Sequence, residues 1–469
     1  MPQKLRLKPA SAASIPVHAV AAAGWQDFLR RHPDAAPFAA ASGFSAGPGA
    51  HWPAPDAQGR LAALVLGAPD ASDPFLAGRL SALAPAGRYR LGEGFADPAL
   101  AALGFLLGAY RFDRYRATKA PEVALEAPLG VDVAAIERIA AAVAFGRDLI
   151  NTPANDMGPT ALAAAARGLA EKHKARLRVT TGASLEKNFP LVHAVGKGAA
   201  QAPRLVDMRW GTRGPAIALV GKGVCFDTGG LDIKPESAMA LMKKDMGGAA
   251  AALAAADMIM GARLPVRLRV IVPIVENSIS GEAFRPGDVY RSRKGLTVEI
   301  GNTDAEGRLI LADALALADE ESPDLLVDFA TLTGAARVAL GPDLPPFFTD
   351  DEDLAAEIAR IGAEIADPVW RLPLWSPYAA GLKGKIADLN NIAGSPFAGA
   401  IVAALFLKRF VTRTKAWAHF DIYGWNPASR PGRPEGGEVQ AARLVYALVE
   451  QRARKAAHMG ARKARKDGR

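Results

Sequence analysis

The segment Asn302-Thr-Asp-Ala-Glu-Gly-Arg-Leu309 places two carboxylates and a guanidinium at a predicted turn between a strand and a helix. The strand is predicted over Thr297–Ile300, and a mostly buried helix is predicted over Leu309–Ala318. In α/β sheets, ligands bind just beyond the carboxyl ends of strands, so this turn lies where chemistry is expected. Acidic residues at a helix start can also cap it, and this segment alone leaves both interpretations open.

Polar residues also follow a second predicted strand, Ala216–Gly221. They lie in Lys222-Gly-Val-Cys-Phe-Asp-Thr-Gly-Gly-Leu-Asp-Ile-Lys234, whose glycines allow positive φ values and close approach of the backbone to a bound group. Further along, Asp245 and two glycines precede an Ala-rich stretch that is predicted to be helical to about Met260. Several carboxylates at strand-to-helix turns favour one shared site over unrelated helix caps.

Convergence of Asp227, Asp245, Asp304 and Glu306 would require cations. Buried carboxylates without partners carry a large desolvation penalty, and two divalent ions would neutralise four of them. Oxygen ligands suit Zn, Mn, Mg or Co. Two adjacent dications would also lower the pKa of a nearby lysine, so Lys222 is a candidate neutral amine ligand. The alternative for any single carboxylate is a helix cap or a surface ion pair.

Three of these segments together resemble the leucyl aminopeptidase family of dinuclear metallo-aminopeptidases. They are Val220–Pro235, Met242–Gly248 and Asn302–Leu309, and four further segments are similar in the same order: Phe329–Ala335, Ala387–Asn391, Ala398–Leu407 and Trp417–Ile422. The similarity extends from about residue 130 onward. It implies an enzyme that hydrolyses the N-terminal residue, Leu or another apolar residue, from short peptides. It also implies a homohexamer with enclosed active sites.

The resemblance also implies a role for each matching residue. It implies one metal ion held by Lys222, Asp227, Asp245 and Glu306, and a second held by Asp227, Asp304 and Glu306. The expected ions are Mn or Zn, with Mg or Co as alternatives. Lys234 and Arg308 match the two catalytic positions of the family: the lysine contacts the substrate carbonyl oxygen, and the arginine holds bicarbonate as the general base. Outside this context, a solvated lysine and a structural ion pair are the simpler interpretations.

Three further positions, Met242, Thr331 and Gly334, resemble the lining of the family's substrate side-chain pocket. Small or apolar residues there would admit aliphatic side chains, although core packing also accounts for Met242. Asp232 departs from the family, which commonly has a neutral polar residue there. We expect Asp232 to raise the pKa of the nearby Lys234 moderately.

Other catalytic classes lack their motifs. The only cysteine, Cys225, lies in an apolar run and is predicted to be a small buried residue, and one cysteine excludes a disulfide framework. The seven histidines form no His-Glu-x-x-His pattern, and no nucleophile elbow or phosphate loop occurs. His419 is predicted to be a satisfied histidine within a strand. A dinuclear phosphoesterase is less favoured, because the motifs offer no histidine ligands.

Length and pattern predict a two-domain α/β protein. The 469 residues, 50% hydrophobic, are divided into a small N-terminal α/β domain (1–127), a connecting helix and linker (128–159) and a catalytic domain (160–469). The connecting helix is predicted over Val131–Ile150. The catalytic domain is predicted to have a mostly parallel or mixed central sheet covered by helices. Its strands are predicted near Leu177–Thr180, Leu191–Val195, Ile217–Val220, Val266–Val275, Asp324–Ala330 and Ala416–Ile422.

The net charge of +9 is concentrated in the C-terminal tail, residues 452–469, which carry +7. A solvated, partly disordered tail is the favoured interpretation, and nucleic-acid binding is the alternative. The N-terminus lacks an apolar stretch of signal-peptide length, and no run reaches the length of a membrane span. We therefore expect a cytoplasmic protein.

Overall fold

The computed structural model describes residues 5–69, 73–117 and 122–467, and the side chains of 459–467 are outside the description. The chain divides into two compact units. The first comprises Met1–Ala144 and Pro427–Glu435, and the second comprises Phe145–Asn426 and Gly436–Arg469. Both units combine sheets with helices, which confirms the predicted two-domain α/β class.

The first unit is a five-stranded sheet with short helices. Its strands are β1 (Ile15–Ala21), β2 (His51–Pro55), β3 (Leu61–Ala68), β4 (Gly87–Leu91) and β5 (Val123–Leu125), and its helices are α1 (Trp25–Arg31), α2 (Ala36–Ser42), α3 (Leu80–Leu83) and α4 (Pro98–Gly108). The strand order is β2-β3-β1-β4-β5, and β2 is antiparallel to β3. An aromatic cluster that includes Trp25, Phe28 and Trp52 fills the space beside β1.

The predicted connecting helix is present as α5 (Val133–Asn151). The division between the two units, at Ala144, falls within this helix. The limits 127/128 and 159/160 remain predictions.

The second unit contains the remaining elements. Its strands are β6 (Arg176–Thr180), β7 (Arg204–Trp210), β8 (Ala216–Gly221), β9 (Gly223–Asp227), β10 (Arg267–Asn277), β11 (Val289–Arg291), β12 (Thr297–Glu299), β13 (Leu325–Ala330), β14 (Pro346–Phe348), β15 (Trp370–Arg371), β16 (Leu389–Asn390), β17 (Trp417–Asp421), β18 (Trp425–Asn426) and β19 (Gly436–Gly437). Its helices are α6 (Pro159–His173), α7 (Gly182–Asn188), α8 (Pro190–Gly196), α9 (Glu236–Met239), α10 (Gly247–Gly261), α11 (Gly307–Asp319), α12 (Gly334–Leu340), α13 (Glu352–Glu364), α14 (Gly399–Lys408) and α15 (Ala442–Asp467).

The main sheet of this unit is mixed, with a parallel centre. Its order is β15-β14-β17-β13-β8-β10-β7-β6, and β9 pairs with the distal part of β10. Strands β17, β13, β8 and β10 run parallel to one another. At one edge, β7 pairs antiparallel with β10, and β6 pairs antiparallel with β7. The carboxyl ends of the central strands therefore meet at one edge, as ligand binding in this class of sheet requires.

Two buried helices hold that edge in place. Helix α10 is rich in alanine and glycine because it lies very close to the sheet: a Cβ on Gly248 would be 2.2 Å from the carbonyl oxygen of Phe329. Helix α11 is buried along nearly its whole length and packs against β8, β10 and β13. These helices confirm the two predicted after the acidic turns.

One predicted strand is wrong. Residues Leu191–Val195 belong to helix α8, although their apolar, β-branched composition suggested a strand. Pro190 supplies the first helical φ angle, and the Asp313 carboxylate of α11 accepts hydrogen bonds from the amides of Leu191 (2.8 Å) and Val192 (3.4 Å). This cap comes from a distant part of the sequence, so local pattern does not reveal it.

The basic tail also differs from the prediction of a partly disordered terminus. Up to Asp467 it continues α15 as a helix, and residues 468–469 are outside the described residues. Arg452 and Lys455 both pair with Glu357 of α13, which anchors the start of the tail. Among the described residues, no helix is long and apolar enough to cross a membrane.

Candidate metal centre

The ends of the central strands supply the floor of the candidate site. Lys222 follows β8 directly, and Asp227 is the last residue of β9. Asn277 ends β10, Thr331 follows β13, and Asp421 ends β17. Polar side chains therefore lie at five neighbouring strand ends, and the sheet register fixes their spacing.

Two loops add the remaining carboxylates. Asp245 lies in a 3-10 turn that leads into α10, and Asp304 and Glu306 lie in the turn before α11. Asp227, Asp245 and Glu306 each offer a carboxylate oxygen within 4.8 Å of the others, and all three residues are buried. Asp304 is connected to this group through Lys234, which contacts both Asp304 and Asp227.

Lys222 lies inside the carboxylate group. Its Nζ is 2.9 Å from Asp245 Oδ2 and 2.9 Å from Glu306 Oε1, and it donates to the Thr331 carbonyl oxygen at 2.9 Å. Burial lowers the pKa of this amine, but the neighbouring carboxylates outweigh burial and raise the pKa well above its usual range. Gly307 makes this position possible, because a Cβ there would lie 2.5 Å from Lys222 Cε.

Lys234 lies at the other side of the group. Its Nζ is 2.8 Å from Asp227 Oδ2. Burial opposes the charge of Lys234, but Asp227 and Glu306 raise its pKa above the usual range. Asp232, which we expected to raise the pKa of Lys234, is not among the groups that do so. Its carboxylate instead accepts a hydrogen bond from the Thr303 amide at 2.7 Å and ties the two loops together.

The carboxylates are poorly stabilised as anions by the protein alone. Burial, followed by the charge of Asp227, raises the pKa of Glu306 to about 8 and that of Asp304 to about 6. Burial also raises the pKa of Asp245, against the attraction of Lys222. A site that raises the pKa of several adjacent carboxylates favours the binding of further positive charge.

The donor atoms fit divalent cations. Asp245 Oδ2, Asp304 Oδ1 and Glu306 Oε1 are buried, and they accept no hydrogen bond of normal geometry from the described residues, although lysine ammonium groups lie near them. Buried carboxylate oxygens whose near neighbours are lysine ammonium groups form, together with the amine nitrogen of Lys222, a ligand set that Zn or Mn accepts. The residues present therefore suit a metal centre.

Arg308 lies in the first turn of α11 and is buried. Its guanidinium donates to the Asn391 carbonyl oxygen at 2.6 Å, while its Nε finds no acceptor among the described residues. Burial lowers the pKa of Arg308 to about 10, against the attraction of Glu306 and Asp421, so the group stays charged at neutral pH.

All of the predicted site residues line one cavity of about 530 Å³. They are Lys222, Asp227, Lys234, Met242, Asp245, Asp304, Glu306, Arg308, Thr331 and Gly334. The cavity wall also includes Lys244, Arg337 and Tyr423, none of which the sequence singled out. Burial lowers the pKa of Lys244 to about 8.

The sequence analysis also predicted no role for two residues that hold the site in place, Asn277 and Asn391. Asn277 is fully buried and donates to Asp227 Oδ1 at 2.8 Å and to the Thr303 carbonyl oxygen at 3.1 Å. Asn391 accepts from the amide of Gly301 at 2.7 Å and holds the loop before α11. A polar residue directly after the apolar run of β10 was the available signal for Asn277. Asn391 ends a segment, Ala387–Asn391, that resembles the family, but the sequence does not show that it holds this distant loop.

The prediction for Cys225 holds, and the prediction for His419 holds in part. Cys225 is 1% exposed, as expected for a small buried residue. His419 lies in β17, and its Nδ1 is 2.6 Å from Asp328 Oδ1. Its Nε2 is buried and has no partner among the described residues, so the histidine is satisfied at one nitrogen only.

Comparison with known proteins identifies the family. Residues 144–447 match the model of the cytosol aminopeptidase family, catalytic domain. The chain belongs to the cytosol aminopeptidase family. Residues 15–128 match a second model, the M17 aminopeptidase N-terminal domain. The family match confirms the resemblance drawn from the three motifs.

Individual relatives agree with this assignment. A probable cytosol aminopeptidase from a Geobacter species is 43% identical over 370 residues, which cover 75% of each chain. The crystal structure of a cytosol aminopeptidase from Coxiella burnetii superposes with a TM-score of 0.92 at 44% identity, covering 96% of this chain and 99% of that one. The bottromycin maturation enzyme BotP, solved in complex with Mn, gives a TM-score of 0.83 at 35% identity over 94% of this chain and 100% of its own.

Membership of the cytosol aminopeptidase family makes the protein a metallo-aminopeptidase, a hydrolase of peptides. The family match also disfavours the phosphoesterase alternative.

Proposed function

We propose that this cytosol aminopeptidase family member removes the N-terminal residue, Leu or another apolar residue, from short peptides with the help of two divalent ions, Mn or Zn. The observation that carries the proposal is the convergence of Asp227, Asp245 and Glu306 around Lys222, within the cavity that Lys234 also lines. Mg and Co remain alternatives, because an oxygen-rich ligand set accepts several ions.

We assign the ligands as the resemblance implies. Lys222, Asp227, Asp245 and Glu306 would hold one ion, and Asp227, Asp304 and Glu306 would hold the other. When bound, the ions would supply Lewis acidity that activates water for attack on the peptide carbonyl. The Asn277 amide and the Gly229 backbone amide both donate to Asp227 Oδ1, at 2.8 and 2.9 Å. These two hydrogen bonds fix the orientation of that carboxylate and direct its second oxygen, Oδ2, toward Lys234.

Lys234 is suited to stabilise the developing oxyanion. Its side chain is largely buried on the cavity wall, where a charge acts more strongly than in water. Its ammonium lies 2.8 Å from Asp227 Oδ2, which holds the charge beside the proposed metal ligands.

Arg308 is suited to hold bicarbonate as the general base. Its planar guanidinium matches the two oxygens of such an anion better than a lysine would. The buried Nε without an acceptor among the described residues leaves a donor for this purpose, while the bond to the Asn391 carbonyl oxygen keeps the group in place.

The substrate pocket and the assembly complete the proposal. Met242, Thr331 and Gly334 line the cavity and would admit an aliphatic side chain. A homohexamer is supported by exposed apolar side chains such as Phe397 (77%) and Trp370 (60%), which an interface would cover. Light scattering after size exclusion tests the assembly, and a 49.1 kDa monomer would contradict it.

The enzymatic proposal is tested with full-length protein stripped of metal and then supplied with Mn, Zn, Mg or Co. Leucine p-nitroanilide and a panel of short peptides serve as substrates. We expect metal-dependent release of the first residue, and we expect Lys234→Ala and Asp304→Ala to abolish it. Lys187→Ala, an exposed lysine of α7, is the matched control and should behave as wild type.

Measuring the metal content of the two variants distinguishes a catalytic residue from a metal ligand. Lys234→Ala should bind as much metal as wild type, because the lysine is not a ligand, whereas Asp304→Ala should bind less. A folded, metal-loaded wild type that hydrolyses none of these substrates would overturn the proposal. Equal metal binding by the Asp304 variant and wild type would overturn the ligand assignment.

A further inference from the structure

The cavity wall carries two cations that the proposed chemistry does not use, Lys244 and Arg337. Both lie against the ring of Tyr423: Lys244 Nζ is 4.6 Å and the Arg337 guanidinium carbon is 5.1 Å from the ring centre. The backbone of Tyr423 is held in place, because its amide donates to Gln440 Oε1 at 3.0 Å. The two cations are therefore held at a defined place on the wall.

Among the described residues, neither cation forms an ion pair with a carboxylate, and Asp245 and Asp421 act on Lys244 only at longer range. Lys244 is 5% exposed, and within the part of the chain that the structure describes its ammonium forms no hydrogen bond or ion pair. The same holds for the side chain of Arg337, which lies in α12 and is exposed. A buried ammonium without a partner is costly, and a cation–π contact offsets only a part of that cost.

The five carboxylates of the cavity are already engaged. Lys222 pairs with Asp245 and Glu306, and Lys234 pairs with Asp227 and Asp304. The remaining carboxylate, Asp421, accepts hydrogen bonds from the amides of Leu332 (2.9 Å) and Thr333 (3.1 Å) and from the Thr333 hydroxyl (2.6 Å). The lining therefore offers Lys244 no free carboxylate.

The position of the two cations connects them to the substrate. Lys244 precedes the proposed ligand Asp245, and Gly424, the neighbour of Tyr423, packs close to the methyl group of Thr331 in the proposed substrate pocket. Lys244, Arg337 and Tyr423 line the same cavity as the proposed catalytic residues. An anion bound by the two cations would thus belong to the molecule that occupies the active site.

We propose that Lys244 and Arg337 form a carboxylate-binding subsite, which selects short peptides that carry a carboxylate near the scissile bond. This inference rests on the proposed peptidase function. The carboxylate comes either from an acidic side chain of the first residue or from the C-terminus of a very short peptide. An ammonium and a guanidinium together suit a carboxylate, because charge-assisted hydrogen bonds are the stronger ones.

Two pairs of substrates distinguish the sources. Leu-Ala and Leu-Ala-NH2 differ only in the C-terminal carboxylate, and Glu-Ala-NH2 and Gln-Ala-NH2 differ only in the side-chain carboxylate. We expect Lys244→Met to lower the ratio of kcat/KM within one pair by about tenfold, which corresponds to ~1.4 kcal/mol. The ratio cancels any general damage to the site.

Two further variants sharpen the test. Arg337→Gln should lower the same ratio less, by about threefold, because an exposed charge is screened. Lys243→Met is the matched control: this lysine donates to the Asn151 carbonyl oxygen at 2.8 Å, is absent from the cavity lining, and should leave both ratios unchanged. A fall in the Leu-Ala ratio assigns the C-terminus, and a fall in the Glu/Gln ratio assigns the side chain. Unchanged ratios in both pairs overturn the subsite.

A binding measurement keeps this inference separate from the peptidase proposal. Glutarate, a dicarboxylate without an amine, is titrated calorimetrically into wild type, Lys244→Met and Lys243→Met. We expect weaker glutarate binding in the Lys244 variant alone, and equal binding in all three proteins overturns the subsite. If wild type hydrolyses no peptide, the peptidase proposal fails, and the glutarate titration still decides whether the subsite exists.

Discussion

Replacing Gly307 with alanine tests the packing of Lys222 against the first turn of α11. A Cβ at this position would lie 2.5 Å from Lys222 Cε and 2.7 Å from Nζ. Ordinary contacts begin at 3.4 Å, so the lysine side chain has to move by about 1 Å. The obstacle is the flexible end of a side chain, and the backbone can therefore stay where it is.

The expected result is a folded but inactive enzyme. Gly307 is the first residue of α11 and the atoms that must move belong to a flexible side chain, so we expect the melting temperature to change little. A displacement of about 1 Å at an active-site group can cost about 100-fold in rate. We therefore expect kcat/KM for leucine p-nitroanilide to fall by about 100-fold, together with weaker metal binding.

Two other glycines provide the controls. Gly168 lies on an exposed part of α6. Apart from the nearby backbone of that helix, no atom of the described residues lies within 4 Å of the place that an added methyl group would take, so Gly168→Ala should keep full activity. Gly248→Ala should instead destabilise the fold, because its Cβ would meet the rigid backbone of Phe329 at 2.2 Å. The reasoning is refuted if Gly307→Ala keeps activity within about threefold of wild type, since about 1 Å of displacement should cost far more.

Three further predictions concern stability. Asp328→Ala should cost about 3 to 5 kcal/mol in urea unfolding, because it removes the buried partner of both His419 and the Trp417 indole, and an unaltered midpoint would contradict this. Burial lowers the pKa of His18 to about 4, so the stability that neutral His18 contributes is complete above pH 6.5 and is lost as the pH falls toward 4. In His18→Asn, the free energy of unfolding should decrease by about 2 kcal/mol less between pH 7 and 4.5 than in wild type, after allowance for solvent screening. Urea unfolding at several pH values measures this, and the same pH dependence in both proteins would count against it. Mn at about 100 times its Kd should stabilise wild type by about 2.7 kcal/mol, and Asp245→Asn much less; equal stabilisation would argue against Asp245 as a ligand.

The fold was predictable where local pattern and tertiary context agree. The long apolar strand β10 and helix α11 have clear patterns, and both lie where the sequence predicts them. Helix α8 was missed because its stability depends on Asp313, which lies more than a hundred residues away in the sequence. Short strands such as β15 and β16 consist of two residues each, and no pattern of that length can be recognised.

The site was predictable where chemistry is concentrated in motifs. Carboxylates and lysines beside glycines mark the turns after β8 and before α11, and the structure brings them together in one cavity. The residues that support them gave a weaker signal. The sequence did not predict a role for Lys244, because a lysine before an aspartate is not a recognisable motif. Its contact with Tyr423 is visible only in the folded structure.

The number of lysines and arginines in the cavity lining matches the number of carboxylates. The lining contains five carboxylates and five cationic side chains, and Lys222 and Lys234 each contact two of the carboxylates. Two divalent ions on the same carboxylates would leave the cavity with excess positive charge. Such an excess would favour anions, and under the proposed function these would be an oxyanion at Lys234 and bicarbonate at Arg308. The same excess would strengthen carboxylate binding at Lys244, so loading the enzyme with metal should tighten glutarate binding in wild type more than in Lys244→Met.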